Sequence, residues 1–165
     1  MGFQETYEEI QKDKSAGQKN FNVKCTMLDE GMQTKVVMGA SNHEWIIDSP
    51  EGLGGTDEGP SPLLGILGMI GSCIIAITKF WAMIMDIELE NVEVYSRGKI
   101  NLAGIFGIDE DELKGFTDFQ PVIRVRANAP KEKVEELMDK VVNHCPVITN
   151  FAGATPIDYR VQIRE

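Results

Sequence analysis

Three features of the chain predict an α+β fold in which antiparallel sheets wrap a buried central helix. Phe21, Val23 and Cys25 alternate with polar residues, as Ile123 and Val125 do with Arg124 and Arg126, which is the period-two signature of half-buried strands. Between those regions Leu63 to Met85 is almost continuously apolar, and Ser61 to Thr78 carries no charge. Val134, Leu137, Met138, Val141 and Val142 recur at helical spacing with Glu and Asp on the opposite face, so Pro130 to Asn143 reads as an amphipathic helix. Strands and helices come in separate blocks, not in strict alternation, and this favours α+β over a parallel α/β sheet. A length of 165 residues suits one domain, residues 1–165, with residues 1–17 as a peripheral N-terminal segment.

In chain order, Thr6 to Ser15 has Tyr7 and Ile10 as its only apolar positions, spaced for one face of a short helix. Gln18 to Asp48 reads as three antiparallel strands, with Thr34 to Met38 and Glu44 to Asp48 following the first and Gly31 as punctuation. Ser49 to Pro62, dense in Gly, Pro and acidic residues, reads as an irregular loop. The apolar segment that follows is long enough for a membrane span. Lys79 interrupts it, no basic cluster flanks it, and Gly65, Gly68 and Gly71 recur at every third position, so it reads as the buried helix of a soluble protein approached closely by another helix. A chain this short has trouble covering such a helix on every side, which makes a homodimer the expected assembly. Asp86 to Ile100 is a strand with a slip near Asn91, and Leu102 to Gly115 is an excursion holding the acidic cluster Asp109 to Glu112. Phe116 to Ala127 returns as strand; after the amphipathic helix come His144, Cys145, Pro146 and Val147, a short apolar segment, and a last strand from Ile157 to Ile163.

Sixteen basic against 26 acidic residues give a net charge of −10 with no basic run, which argues against nucleic acid and anionic membrane as partners. Cys25, Cys73 and Cys145 are widely spaced and odd in number, and Met1 to Gly17 lacks the apolar core of a signal peptide. Both point to a reducing, cytoplasmic setting. His43 and His144 are too few, and the carboxylates too irregularly spaced, for a metal site. No phosphate-binding glycine motif suggests a cofactor.

Cysteine carries the remaining chemistry. Pro146 suits the first position of a helix, which would put Cys145 at a helix start where thiolate is favoured over thiol; the same residue can equally be a buried structural cysteine. Cys73, inside the apolar helix, reads by itself as a small hydrophobe, and its interest depends on Cys145. If the two sulfurs meet, one thiolate can attack a peroxide oxygen and the other can capture the sulfenic acid as a disulfide.

The loop from Gly54 to Pro62, running into an apolar helix with Cys73 at its middle, resembles the OsmC/Ohr superfamily of osmotically inducible and organic hydroperoxide resistance proteins. The amphipathic helix ending in Asn143, His144, Cys145, Pro146 and Val147 resembles the same superfamily, as does the strand carrying Val92, Glu93, Val94 and then Gly98. The resemblance implies an OsmC-like fold of intertwined homodimers around two central helices, with a thiol site at the dimer interface. It implies an organic hydroperoxide reductase, a cysteine peroxidase of oxidative stress, with Cys73 as the peroxidatic and Cys145 as the resolving residue. A dithiol reductant such as a lipoylated protein would recycle it, and no cofactor is needed. Members of the superfamily activate the reacting thiolate with an arginine from the N-terminal half, held by a glutamate before the cysteine helix. Here the first arginine is Arg97, and Pro62, Leu63 and Leu64 occupy the region of the glutamate. Glu51, Lys35 and His144 are the candidates for an activating or site-lining role. A second reading therefore stays open: a non-catalytic or weakly redox-active dimer binding a small apolar or sulfur-containing ligand.

Overall fold

In the computed structural model, which describes residues 2–153, 157 and 160–162, the chain divides after Pro62 into two units. The first opens with helix α1 (Phe3–Lys12), three residues earlier than its apolar pattern suggests. Capping explains the shift. The Glu5 carboxylate accepts from the Gly2 amide at 3.0 Å and starts the helix, while Asp13 takes the Ser15 amide at 2.9 Å and converts the chain to a 3-10 turn.

Strands β1 (Val23–Met27), β2 (Thr34–Met38) and β3 (His43–Ile47) then form an antiparallel meander, with Cys25 opposite Val36 and Val36 opposite Trp45. Phe21, Val23 and Met27 are exposed within their unit. The loop after β3 is irregular as expected, apart from a 3-10 turn at Glu51–Leu53, yet it is tightly anchored. Asp48 is fully buried and accepts from the Thr56 amide at 2.9 Å, the Thr56 hydroxyl at 2.7 Å and the Glu58 amide at 3.3 Å. Burial opposes its charge, but the Thr56 hydroxyl and the amides of Ser49, Thr56 and Glu58 outweigh that and hold the carboxyl down at about 2. The loop closes this tightly because Gly55 and Gly59 lack side chains: a Cβ at Gly55 would overlap the Ser49 carbonyl, and one at Gly59 the Ile46 carbonyl.

The second unit is built on helix α2 (Pro62–Ile84), a two-stranded antiparallel ribbon of β4 (Glu88–Lys99) and β5 (Asp118–Asn128), and helix α4 (Lys131–His144). The short helix α3 (Leu102–Ile105) lies in the connection between the two strands, and α5 (Pro146–Ala152) follows α4. A bulge between Leu89 and Asn91 marks the slip seen in the sequence. Its purpose is phase: Leu89 and Val92 are three apart, and only an extra residue lets both face inward.

The core joins Ile70, Ile74 and Ala82 of α2 to Leu137 and Val141 of α4, with Ile87, just before the ribbon, and Leu89, Val94 and Ile123 within it packed against them. Thr78 is buried in the same stripe without penalty, since its hydroxyl donates to the Ile74 carbonyl at 2.8 Å. Within its unit α2 is covered along one face, Ile70, Gly71, Ile74, Thr78 and Ala82, whereas Leu64, Met69 and Met83 are exposed. The helix is also long and apolar enough to cross a membrane by length and composition. The last strand expected from Ile157 to Ile163 falls mostly on residues outside the described ones.

Candidate functional site

Helix periodicity decides how open each thiol of the second unit is. On α4 the buried residues Leu137 and Val141 are four apart, and Cys145 continues that row by another four, so its sulfur is sealed, with no exposed surface. On α2 the buried row is Ile70, Ile74, Thr78 and Ala82; Cys73 lies one position before Ile74, at the edge of the row, and is half-buried. Both cysteines are free thiols.

Cys145 stands between two helices. It ends α4 in an extended conformation (φ −77°, ψ 114°), and Pro146 restarts the chain as the first residue of α5. Its carbonyl accepts from both the amide and the hydroxyl of Thr149 at 3.0 Å, which fixes the corner. The result is a sulfur–sulfur separation of 3.6 Å between Cys145 and Cys73, within reach of a weak hydrogen bond between the two thiols. A disulfide requires about 2.05 Å, so a local movement of under ~2 Å would join them.

The thiol at the helix edge is made harder to ionise. Burial pushes the Cys73 thiol up, the Val147 amide of α5 pulls it down, and the neighbouring Cys145 pushes it up again, leaving it above the ordinary thiol value. None of these influences is a cation. The amide at the start of α5 thus serves Cys73, whereas the sequence had suggested that the helix start serves Cys145.

An apolar cavity of about 810 Å³ in the same unit is walled by Leu63, Ile66, Ile70, Phe116, Phe119 and Ile148 among others; neither thiol lines it, but residues one turn from each do. Ile70 precedes Cys73 by three residues on α2, and Ile148 follows Cys145 by three on α5. Phe119 stacks on Phe151 at 5.6 Å and meets Phe116 edge-on at 5.6 Å, giving the wall a rigid aromatic side. The pattern of the sequence hinted at none of these three phenylalanines as site residues, because they come from a loop, a strand start and a short helix.

Of the candidate activating residues, His144 belongs to this unit: it is exposed, and its ring meets Trp81 of α2 at 4.9 Å between centroids. Lys35 and Glu51 belong to the first unit. Lys35 is paired with Glu44 across β2 and β3 at 2.7 Å, and Glu51 opens the 3-10 turn after β3. Cys25 is exposed on β1. Among the described residues no group of three or more His, Cys, Asp or Glu side chains could hold a metal ion. The buried Asp48 was the anchor that sequence reasoning missed; the signal was an aspartate at a strand end followed by a glycine-rich loop with a threonine inside it.

No curated protein matches the chain in sequence. Solved structures do match its fold. An OsmC-like protein from Mycoplasma pneumoniae superposes with a TM-score of 0.70 at 15% identity, over 83% of this chain and 90% of that one. An organic hydroperoxide resistance protein from Legionella pneumophila gives 0.55 at 17% identity over 82% and 90% of the two chains, and one from Elizabethkingia anophelis gives 0.55 at 16% over 83% and 91%. At these identities the likeness concerns the fold. The model of the OsmC-like protein family matches residues 55–160, more than half of the sequence and the stretch that carries the anchoring glycines, both thiols of the 3.6 Å pair and the ribbon between them, and so this chain belongs to the OsmC-like family.

Proposed function

We propose that the chain is a thiol-dependent peroxidase that reduces organic hydroperoxides through Cys73 and Cys145. The observation that carries the reading is the 3.6 Å contact between a half-open and a sealed thiol beside an apolar cavity. The more open sulfur meets the oxidant. The Cys73 thiolate attacks the outer oxygen of ROOH, the O–O bond breaks, and the alcohol leaves with a proton, giving a Cys73 sulfenic acid. The Cys145 thiol attacks that sulfur, forming the disulfide and releasing water. An external dithiol, such as a lipoylated protein, then returns two electrons and two protons and is itself oxidised to its disulfide. The apolar wall of Ile66, Ile70, Phe116 and Phe119 suits a hydroperoxide with a hydrocarbon body. No metal or cofactor enters these steps.

The reading includes a single OsmC-like domain acting as a homodimer in the cytoplasm, without nucleic acid or membrane partners. Support for the dimer comes from the exposed apolar residues Leu64, Met69 and Met83 of α2, which a second copy would cover.

A second reading, of a weakly redox-active or non-catalytic dimer that binds a small apolar or sulfur-containing ligand, is favoured by one observation: Cys73 is held above the ordinary thiol value with no cation among its influences. Consumption of cumene hydroperoxide with dihydrolipoamide as reductant separates the two. The peroxidase reading expects turnover that is lost in Cys73→Ser. Equal slow consumption by the wild type and Cys73→Ser would leave the binding reading.

A further inference from the structure

The corner that carries Cys145 is tied to α2 at a second point. Trp81 lies two turns after Cys73 on α2, and His144 immediately precedes Cys145, so the ring contact of 4.9 Å and the sulfur contact of 3.6 Å join the same two segments. Each ring is fixed in turn. His144 Nδ1 lies 2.8 Å from the Lys140 carbonyl; a carbonyl only accepts, so Nδ1 carries the proton and the imidazole is locked against its own helix. Trp81 is packed against the core, with Phe80 edge-on at 5.8 Å and the Lys140 ammonium 5.7 Å over its face.

Cys145 is extended and lies outside both helices, α4 ending at His144 and α5 beginning at Pro146. A ring held on one side of the cysteine and the Thr149 bonds on the other are what aim its sulfur at Cys73.

We propose that Trp81 and His144 are positioning residues for disulfide formation: their ring contact holds Cys145 within reach of Cys73 and governs the capture step, leaving the reactivity of Cys73 toward an oxidant untouched. The inference rests on the thiol-pair reading above, though not on the identity of the peroxide.

The test uses glutathione in place of peroxide. In buffers of reduced and oxidised glutathione, the attack of Cys73 on glutathione disulfide gives a mixed disulfide and releases one glutathione; Cys145 then displaces the second and leaves the Cys73–Cys145 disulfide. The ratio of protein disulfide to mixed disulfide, read by mass spectrometry after acid quenching, gives the effective concentration of Cys145 at Cys73. His144→Ala, at an exposed position, should lower it about tenfold, near the upper end of what an aromatic pair contributes, and His144→Phe, which keeps a ring on Trp81, should stay within about twofold of the wild type. Trp81→Phe should likewise stay close to the wild type. The iodoacetamide rate of Cys73, measured in a Cys145→Ser background, should be the same with and without His144→Ala.

An unchanged effective concentration in His144→Ala overturns the proposal, as does a fall that His144→Phe fails to restore. A changed Cys73 alkylation rate also overturns it, since His144 would then act on the thiolate itself. A wild type that forms no Cys73–Cys145 disulfide at any glutathione ratio defeats the thiol-pair reading as well, a result distinct from the others.

Discussion

Asp48 shows how one side chain anchors a loop, through Ser49, Thr56 and Glu58. Its folded carboxyl sits at about 2, below the ordinary 3.8, so it contributes stability at every pH above the unfolded value and loses that contribution as pH falls through the folded one. Asp48→Asn keeps the shape but removes the charge that Thr56 and Glu58 donate to. The variant is expected to melt lower than the wild type at pH 7, and the gap should close between about pH 4 and pH 2, as thermal melts across that window would show. Equal gaps at pH 7 and pH 2.5 would mean that geometry, and not charge, anchors the loop. That residue was hard to see in the sequence because its partners sit 8 and 10 positions away in a loop without periodicity. The two helix-borne thiols were more legible: each sits in a local pattern, a mid-helix cysteine and a Cys-Pro step. Their openness was not, since it depends on one position of rotation on each helix.

At the scale of elements, alternation and helical spacing located α2, α4, β4 and β5 closely, and the bulge at Glu90 could be read from the broken phase between Leu89 and Val92. The Trp81–His144 contact could not, because residues 63 positions apart meet only once the two helices are packed. Deleting Glu90 sets Leu89 two residues before Val92, so plain alternation points both inward and the bulge is no longer needed; the variant should keep its core and move the urea midpoint far less than a core truncation does. Urea unfolding measures it. A loss as large as that of a core truncation would indicate that the bulge does more than set phase. Ile74→Ala, in the fully buried row of α2, should cost about 2–5 kcal/mol in the same assay, which sets the scale for the deletion.

The whole molecule is defined by what α2 leaves open. A helix that hides only one face of its apolar surface within its own unit, in a protein of net charge −10, calls for a cover that is itself apolar. On the proposed reading a second copy would supply one, and sedimentation is expected to return a dimer from the soluble fraction. Met69→Glu, which puts a charge on the open face, should shift it toward monomer, and a membrane-bound wild type would instead assign the helix to a bilayer. The sequence announced the unusual helix but not which face stays open, because a helix apolar on every side offers no moment to orient it.

The difference in exposure between the two sulfurs also sets a limit on damage. For a peroxidase of the proposed kind, a half-open sulfenic acid is always at risk of a second encounter with oxidant, which would carry it to the dead-end sulfinic acid. A sealed thiol 3.6 Å away cannot itself be overoxidised by the bulk solution, and it competes for the sulfenic acid at a rate that no peroxide dose alters. The wild type should therefore lose activity only slowly as peroxide is raised, whereas Cys145→Ser should die within a few equivalents and accumulate the sulfinic form by intact mass. Sealing one cysteine is thus a form of durability: it fixes how many encounters the molecule survives, independently of how fast it reacts.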